Sequence, residues 1–289
     1  MADSAILNET ARVLKLVQTG TPADAALRET LGRTRHGSAP ALRRAVSRAV
    51  FAYFRWWRWL EPKQSLQKQT QAALDLQARF DRKPDAFKPE ALAARAVPDW
   101  LTAEMDIPPA WLTQLQREPV LWLRAKQNEA ANLPALLGDL APAASAGSGV
   151  QHSAFSVQPS AFCLPPSAFR YSGHRDLFLT DEFRDGRFEI QDLASQLVGH
   201  ACAPQPGQTW WDACAGEGGK TLHLSDLMQN KGLIWASDRS ARRLEHLKKR
   251  AARAGMFNYR TAPWDGSAKF PTKTKFDGVL VDAPCSGVG

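Results

Sequence analysis

The stretch Thr209-Trp210-Trp211-Asp212-Ala213-Cys214-Ala215-Gly216-Glu217-Gly218-Gly219-Lys220-Thr221 runs from a strand-like segment into a glycine-rich loop that opens a helix. Three glycines in four positions permit tight turning and close approach of backbone to a ligand. A helix starting there offers unpaired N–H donors to the same ligand. Working outward, strands at 209–213, 233–237, 258–261 and 276–281 alternate with helices near 220–229 and 240–254. That alternation predicts an open parallel sheet of Rossmann type, with ligands at the carboxyl ends of its strands.

Two phosphate-binding readings of the loop fail. A Walker A loop needs glycine five positions before the Gly219-Lys220-Thr221 tail, where Cys214 stands. A dinucleotide fingerprint needs wider glycine spacing than Gly216-Glu217-Gly218-Gly219 provides. A nucleoside cofactor without a phosphate chain remains. Asp238 ends the second strand, where a carboxylate can accept both ribose hydroxyls. Asp265 follows the third, near the place of an adenine, and Asp282 ends the fourth. One such acid serves commonly as a turn or cap; three on successive strand ends favour a ligand site. Asp282-Ala283-Pro284-Cys285-Ser286-Gly287 then sets a thiol beside a carboxylate. A cysteine can add to an electron-poor ring carbon while the acid bonds the ring nitrogen that takes up charge. An inert, buried Cys285 is the alternative, and its turn context favours exposure.

The remainder of the chain sets the frame. With 289 residues, 44% of them hydrophobic and 23% charged, it suits two or three soluble domains. No apolar run reaches the roughly 18 residues of a membrane span, and the start lacks a secretory leader, so a cytoplasmic protein with no membrane partner is expected. Cys163, Cys202, Cys214 and Cys285 are scattered without metal spacing, so neither a zinc site nor a disulfide framework is expected. The net charge of +8 is concentrated: eight arginines face one acid between Arg28 and Arg58, and seven basic residues face one acid between Arg239 and Arg253. Such clusters point to nucleic acid.

Helices are expected at 6–17 and from Thr21-Pro22-Ala23-Asp24 to a stop at Gly32. A third should span 40–60, with Leu42, Val46, Val50, Tyr53, Trp57 and Leu60 as its apolar stripe. Arg43, Arg48, Arg55 and Arg58 point elsewhere and become candidates for RNA phosphate, while Trp56, Trp57 and Trp59 read as core. Residues 63–118 look irregular, broken by prolines. A strand at 120–124 and a helix near 129–137 suggest a small α+β unit. Inside it Ser153-Ala154-Phe155, Ser160-Ala161-Phe162 and Ser167-Ala168-Phe169 recur at seven-residue spacing among prolines, and 143–168 reads as a low-complexity surface insertion.

These residues together resemble the Sun (Fmu) family of RNA cytosine-5 methyltransferases. The likeness rests on the glycine loop, on Asp282 to Gly289, and on Gly186-Arg187-Phe188-Glu189-Ile190-Gln191-Asp192-Leu193-Ala194-Ser195, which matches the segment leading into the family's methyltransferase domain. Val97-Pro98-Asp99-Trp100-Leu101 and Trp122-Leu123-Arg124 look like the segments flanking its small RNA-binding subdomain. The resemblance implies a multidomain protein: an all-α NusB-like RNA-binding domain at 1–118, a small α+β RNA-binding subdomain at 119–185, and a truncated α/β Rossmann-like methyltransferase domain at 186–289. It implies S-adenosylmethionine held by Cys214, Ala215, Gly216, Glu217, Gly218, Gly219, Lys220, Asp238, Asp265 and Asp282. The implied partner is RNA, 16S ribosomal RNA in the bacterial members, bound by a monomer. In the family a second cysteine, in a Thr-Cys-Ser motif after the next strand, attacks cytosine carbon 6, and the Cys285 equivalent helps release the product. DNA cytosine methyltransferases attack with the Pro-Cys cysteine, which would change the role of Cys285; the helical and small α+β parts favour RNA. The chain departs from the pattern twice. Glu217 stands where the family has proline, and no second-motif cysteine follows, so this 289-residue form is expected to be inactive or a binding fragment.

Overall fold

Amphipathic helices build the first of two units in the computed structural model, Met1–Pro119; the second begins at Val120. The structure describes residues 2–32, 40–143, 165–267 and 272–283. The helices of the first unit are α1 (Ser4–Gln18), α2 (Ala23–Gly32), α3 (Pro40–Trp56), α4 (Leu66–Arg82), α5 (Pro89–Ala96), α6 (Leu101–Glu104) and α7 (Pro109–Leu115). Asp3 caps α1 by accepting the Ala5 N–H at 2.9 Å, and proline at the first position starts α5 and α7 without loss of a backbone bond. Val13, Ala26, Val46 and Val50 close one core among α1–α3. Trp56, Phe80, Phe87, Leu92 and Leu112 close the other.

Two expectations for this unit are corrected. The third helix stops at Trp56 instead of Leu60, and Trp57–Trp59 form a 3-10 turn. Trp56 therefore occupies the core at 0% exposure while Trp57 is 58% exposed. From Tyr53 a step of three or four residues stays on one helical face. The shorter step wins because the Trp56 indole finds a buried acceptor, Gln77 Oε1, at 3.0 Å. The region expected to be irregular contains α4, a 17-residue helix whose Phe80 packs on Trp56. Three of the candidate phosphate-binding arginines have partners within the unit. Arg48 pairs with Glu118 at 2.8 Å, Arg55 bonds Gln77 at 2.6 Å, and Arg58 bonds the Val97 carbonyl at 2.6 Å.

The second unit holds β1 (Leu121–Ala125), α8 (Leu133–Leu137), β2 (Leu140–Pro142), β3 (Ala168–Tyr171), α9 (Asp181–Arg184), β4 (Phe188–Ile190) and α10 (Leu193–Cys202). Then follow β5 (Thr209–Asp212), α11 (Gly219–Leu227), β6 (Leu233–Asp238), α12 (Ala241–Arg253), β7 (Tyr259–Pro263) and β8 (Gly278–Leu280). Two four-stranded sheets result, an antiparallel β2-β3-β1-β4 and a parallel β7-β6-β5-β8. The chain thus combines a helix-rich amino-terminal region with a carboxy-terminal Rossmann-like sheet. The third heptad repeat is not insertion. Ala168 and Phe169 are buried in β3, paired with Arg124 and Leu123 of β1. The first two repeats, and Cys163, lie outside the described residues.

The parallel sheet fixes the site. From β5 the chain moves outward to β6 and β7, then returns to place β8 on the other side of β5. Connections leave in opposite directions there, which opens a crevice between the carboxyl ends of β5 and β8. Gly278 permits this pairing, because a Cβ on it would lie 2.4 Å from the Trp210 ring. Ile234, Leu244, Leu247 and Ala251 pack α12 onto the sheet.

Candidate functional site

The glycine loop between β5 and α11 turns at the crevice. Gly216 and Gly218 adopt φ of +54° and +87°, the left-handed region that glycine enters without strain. Gly218 also has no room for a side chain, since a Cβ would lie 2.6 Å from Leu247 Cγ. Asp238, at the end of β6, holds the turn by accepting the Gly216 N–H at 3.0 Å and the Ser240 N–H at 2.8 Å. From the other side Gln191 donates to the Gly219 carbonyl at 3.2 Å and accepts from Arg124 Nε at 2.7 Å. Arg124 is in turn paired with Asp226 at 3.0 Å, so a buried network carries the small antiparallel sheet to the loop.

A cavity of about 270 Å³ opens beside the loop, lined by Gln191, Ser195, Asp212, Cys214, Gly219 and Lys220, with Ile190, Asp192, Ala215, Arg250 and Asp282. Lys220 reaches across it to Asp282 at 2.6 Å and to the Ser195 hydroxyl at 3.3 Å. Asp212 is the buried acid of the site. Its Oδ2 accepts the Thr221 hydroxyl at 2.6 Å, while Oδ1 has no partner among the described residues. Burial pushes its carboxyl up to about 6, aided by the Asp282 charge and opposed by the Thr221 bond and Lys220. The Cys214 thiol is pushed up as well, by burial first and then by the Asp212, Asp238 and Asp282 carboxylates. Few of its molecules are thiolate at neutral pH, which makes it a poor nucleophile.

The expected site residues divide accordingly. Cys214, Ala215, Gly219, Lys220 and Asp282 meet at the cavity. Asp238 bonds the loop at the Gly216 N–H and is not part of the cavity lining. Asp265 is exposed beyond β7, and the Ser267 N–H bonds its Oδ1 at 2.9 Å and holds the carboxyl below its usual range. Glu217 turns away toward α12, where His246 Nδ1 lies 3.0 Å from its Oε1. Cys285 falls outside the described residues. Among the described residues no group of three or more His, Cys, Asp or Glu could hold a metal ion, and no helix is long and apolar enough to cross a membrane. Asp212 and Arg250 were not singled out from the sequence. An acid closing a strand before a glycine turn was a usable signal for the first; nothing local marked the second.

A larger cavity, about 360 Å³, lies away from the loop, lined in part by Arg124, Lys126, Asp226 and Met256. Its charged groups are engaged within the protein: Arg124 with Asp226 and Lys126 with the Ala254 carbonyl at 3.0 Å. The cavity at the switch point is therefore the better candidate for chemistry.

Comparison with known proteins follows the same line. A family model described as 16S rRNA methyltransferase RsmB/F matches residues 200–289. The "Probable ribosomal RNA small subunit methyltransferase B" of Bacillus subtilis is 38% identical over 112 residues, 38% of this chain and 25% of that protein. The human "28S rRNA (cytosine(4447)-C(5))-methyltransferase" is 40% identical over 111 residues, 38% of this chain and 14% of that protein. The aligned part of the chain thus spans about a quarter or less of these relatives. The crystal structure of PH0851 shares the fold across 99% of this chain and 75% of its own, with TM-score 0.65 and 19% identity.

Proposed function

We propose that this chain, whose residues 200–289 belong to the RsmB/F (Sun) methyltransferase family, is an S-adenosylmethionine-dependent RNA cytosine-5 methyltransferase. The observation that carries the reading is the Lys220–Asp282 pair spanning the switch point beside a glycine turn that has no phosphate-binding pattern. The residues fit the cofactor: Asp212 Oδ1 is a buried acceptor with no partner among the described residues, and space is open at Gly219. When bound, S-adenosylmethionine supplies a methyl group activated by its sulfonium charge.

The chain's own residues bind and orient. The backbone of Cys214 to Lys220 forms the cofactor rest. Asp238 keeps lone pairs beyond its two backbone bonds and takes the ribose hydroxyls; Asp265 lies toward the base end. The Asp282–Lys220 pair meets the cytosine's ring nitrogen, which carries no proton in the free base, and passes it a proton as negative charge gathers there. Cys214 contributes no nucleophile, and Cys202 is half-buried with its thiol pushed up by burial. Cys285 serves product release.

In this reading residues 1–118 are a NusB-like RNA-binding domain, 119–185 a small RNA-binding subdomain and 186–289 the cofactor domain of a monomer. Ribosomal RNA of the small subunit is the proposed substrate, in keeping with the name of the Bacillus relative. Deleting the gene that encodes the chain, and mapping 5-methylcytosine in ribosomal RNA, tests it. One cytosine should lose its methyl group and regain it from the intact gene but not from one carrying Asp282→Ala. An unchanged 5-methylcytosine map would refute the reading.

A further inference from the structure

The cavity beside the loop has an unbalanced charge of each sign. Its lining includes two cations, Lys220 and Arg250. Lys220 is matched by Asp282 at 2.6 Å. Arg250, on α12, shares its partner: Glu189 of β4, itself 5% exposed, accepts from Arg250 Nη2 at 2.8 Å and also from Arg253. Two guanidinium groups on one carboxylate leave one positive charge in excess. Arg250 Nη1 donates to the Glu217 carbonyl at 3.2 Å, which holds the side chain under the loop with 27% of its surface still exposed. The negative counterpart is Asp212, whose buried Oδ1 has no partner among the described residues.

A cavity with one spare guanidinium and two carboxylates that no cation matches, Asp212 and the α10 cap Asp192, suits a zwitterion. Its volume, about 270 Å³, is at the lower edge of the roughly 300–1,000 Å³ of small-molecule sites. Asp238 and Asp265 lie outside its lining, so the nucleoside part of the cofactor belongs beyond the cavity and its amino-acid end within. We propose that Arg250 is the residue that recognises the α-carboxylate of the cofactor's amino-acid end, with Glu189 and the Glu217 carbonyl orienting its guanidinium. The inference rests on the cofactor reading above. A guanidinium bonds a carboxylate through two parallel N–H groups, and such charge-assisted pairs are the strong ones in a partly dry site.

The experiment compares two ligands by calorimetry. S-adenosylhomocysteine carries the amino-acid end; 5′-methylthioadenosine has the same nucleoside and thioether without it. Arg250→Met should weaken S-adenosylhomocysteine at least tenfold and leave 5′-methylthioadenosine within twofold of the wild type. Arg250→Lys, which retains the charge and serves if the methionine variant does not fold, should fall between for the first ligand and match the wild type for the second. Unchanged S-adenosylhomocysteine affinity in both variants overturns the proposal. Equal weakening of both ligands also overturns it, since a merely loop-supporting arginine would affect the nucleoside too. If the wild type binds neither ligand, the cofactor reading itself has failed and takes the proposal with it.

Discussion

Replacing Asp212 with asparagine isolates the cost of burying its charge. The carboxyl is 1% exposed and its native pKa is pushed up to about 6 from the ordinary 3.8. Between those two values the native state keeps a proton that the unfolded chain has released. Stability therefore falls as pH rises through this window, by about 3 kcal/mol for a shift of about two units at ~1.4 kcal/mol each. Asparagine cannot ionise and can still accept the Thr221 hydroxyl. The difference in unfolding free energy, Asp212→Asn minus wild type, should grow by about 2.4 kcal/mol of that total from pH 4 to pH 7 and stay nearly level above it. His223 titrates in the opposite sense, because burial pushes it down to about 2 and acid destabilises the state that keeps it neutral. That term is common to both proteins and cancels in the difference. Urea unfolding followed by tryptophan fluorescence, at half-unit steps of pH, measures the curve. A difference independent of pH, or one that widens toward acid, would refute the assignment of a buried, destabilising charge to Asp212.

Asp238→Ala should weaken S-adenosylhomocysteine about tenfold or more in calorimetry, since charge-assisted bonds contribute roughly 1.5–3 kcal/mol; unchanged affinity would end the ribose assignment. Arg124→Met leaves the Asp226 carboxylate, 14% exposed, without its cation and should cost about 3–5 kcal/mol in denaturant unfolding. In the first unit Trp56→Ala should cost about 3–5 kcal/mol and Trp57→Ala less than about 1, although the two residues are adjacent. Equal losses for the two tryptophans would show that the end of α3 is wrongly placed.

The parallel sheet was legible because its signals are local. Strand, glycine turn and helix follow within thirteen residues from Thr209, and the structure places β5, the loop and α11 there. The first unit was harder to read. At the end of α3, Trp56 and Trp57 both satisfy helical spacing, and the choice depends on Gln77, which lies on α4. Arg48, Arg55 and Arg58 read as a charged face because Glu118, Gln77 and the Val97 carbonyl reach them from distant parts of the sequence. The same holds at the site. Asp212 and Lys220 belong to the loop motif, whereas Arg250 owes its place to Glu189 of β4, 61 residues earlier. A serine-alanine-phenylalanine repeat hid β3, since its third copy has the spacing of the insertion and the burial of a strand.

One substitution tests directly whether the loop cavity receives the cofactor. Gly219 lines the cavity with ordinary backbone angles, and a Cβ there would meet nothing within 4 Å. Valine at this position should leave the melting temperature near that of the wild type while its side chain projects into the space the ligand needs. Calorimetric titration with S-adenosylhomocysteine is expected to give saturable one-site binding to the wild type and none to Gly219→Val. Equal affinity in the folded variant would contradict the placement of the cofactor at this loop.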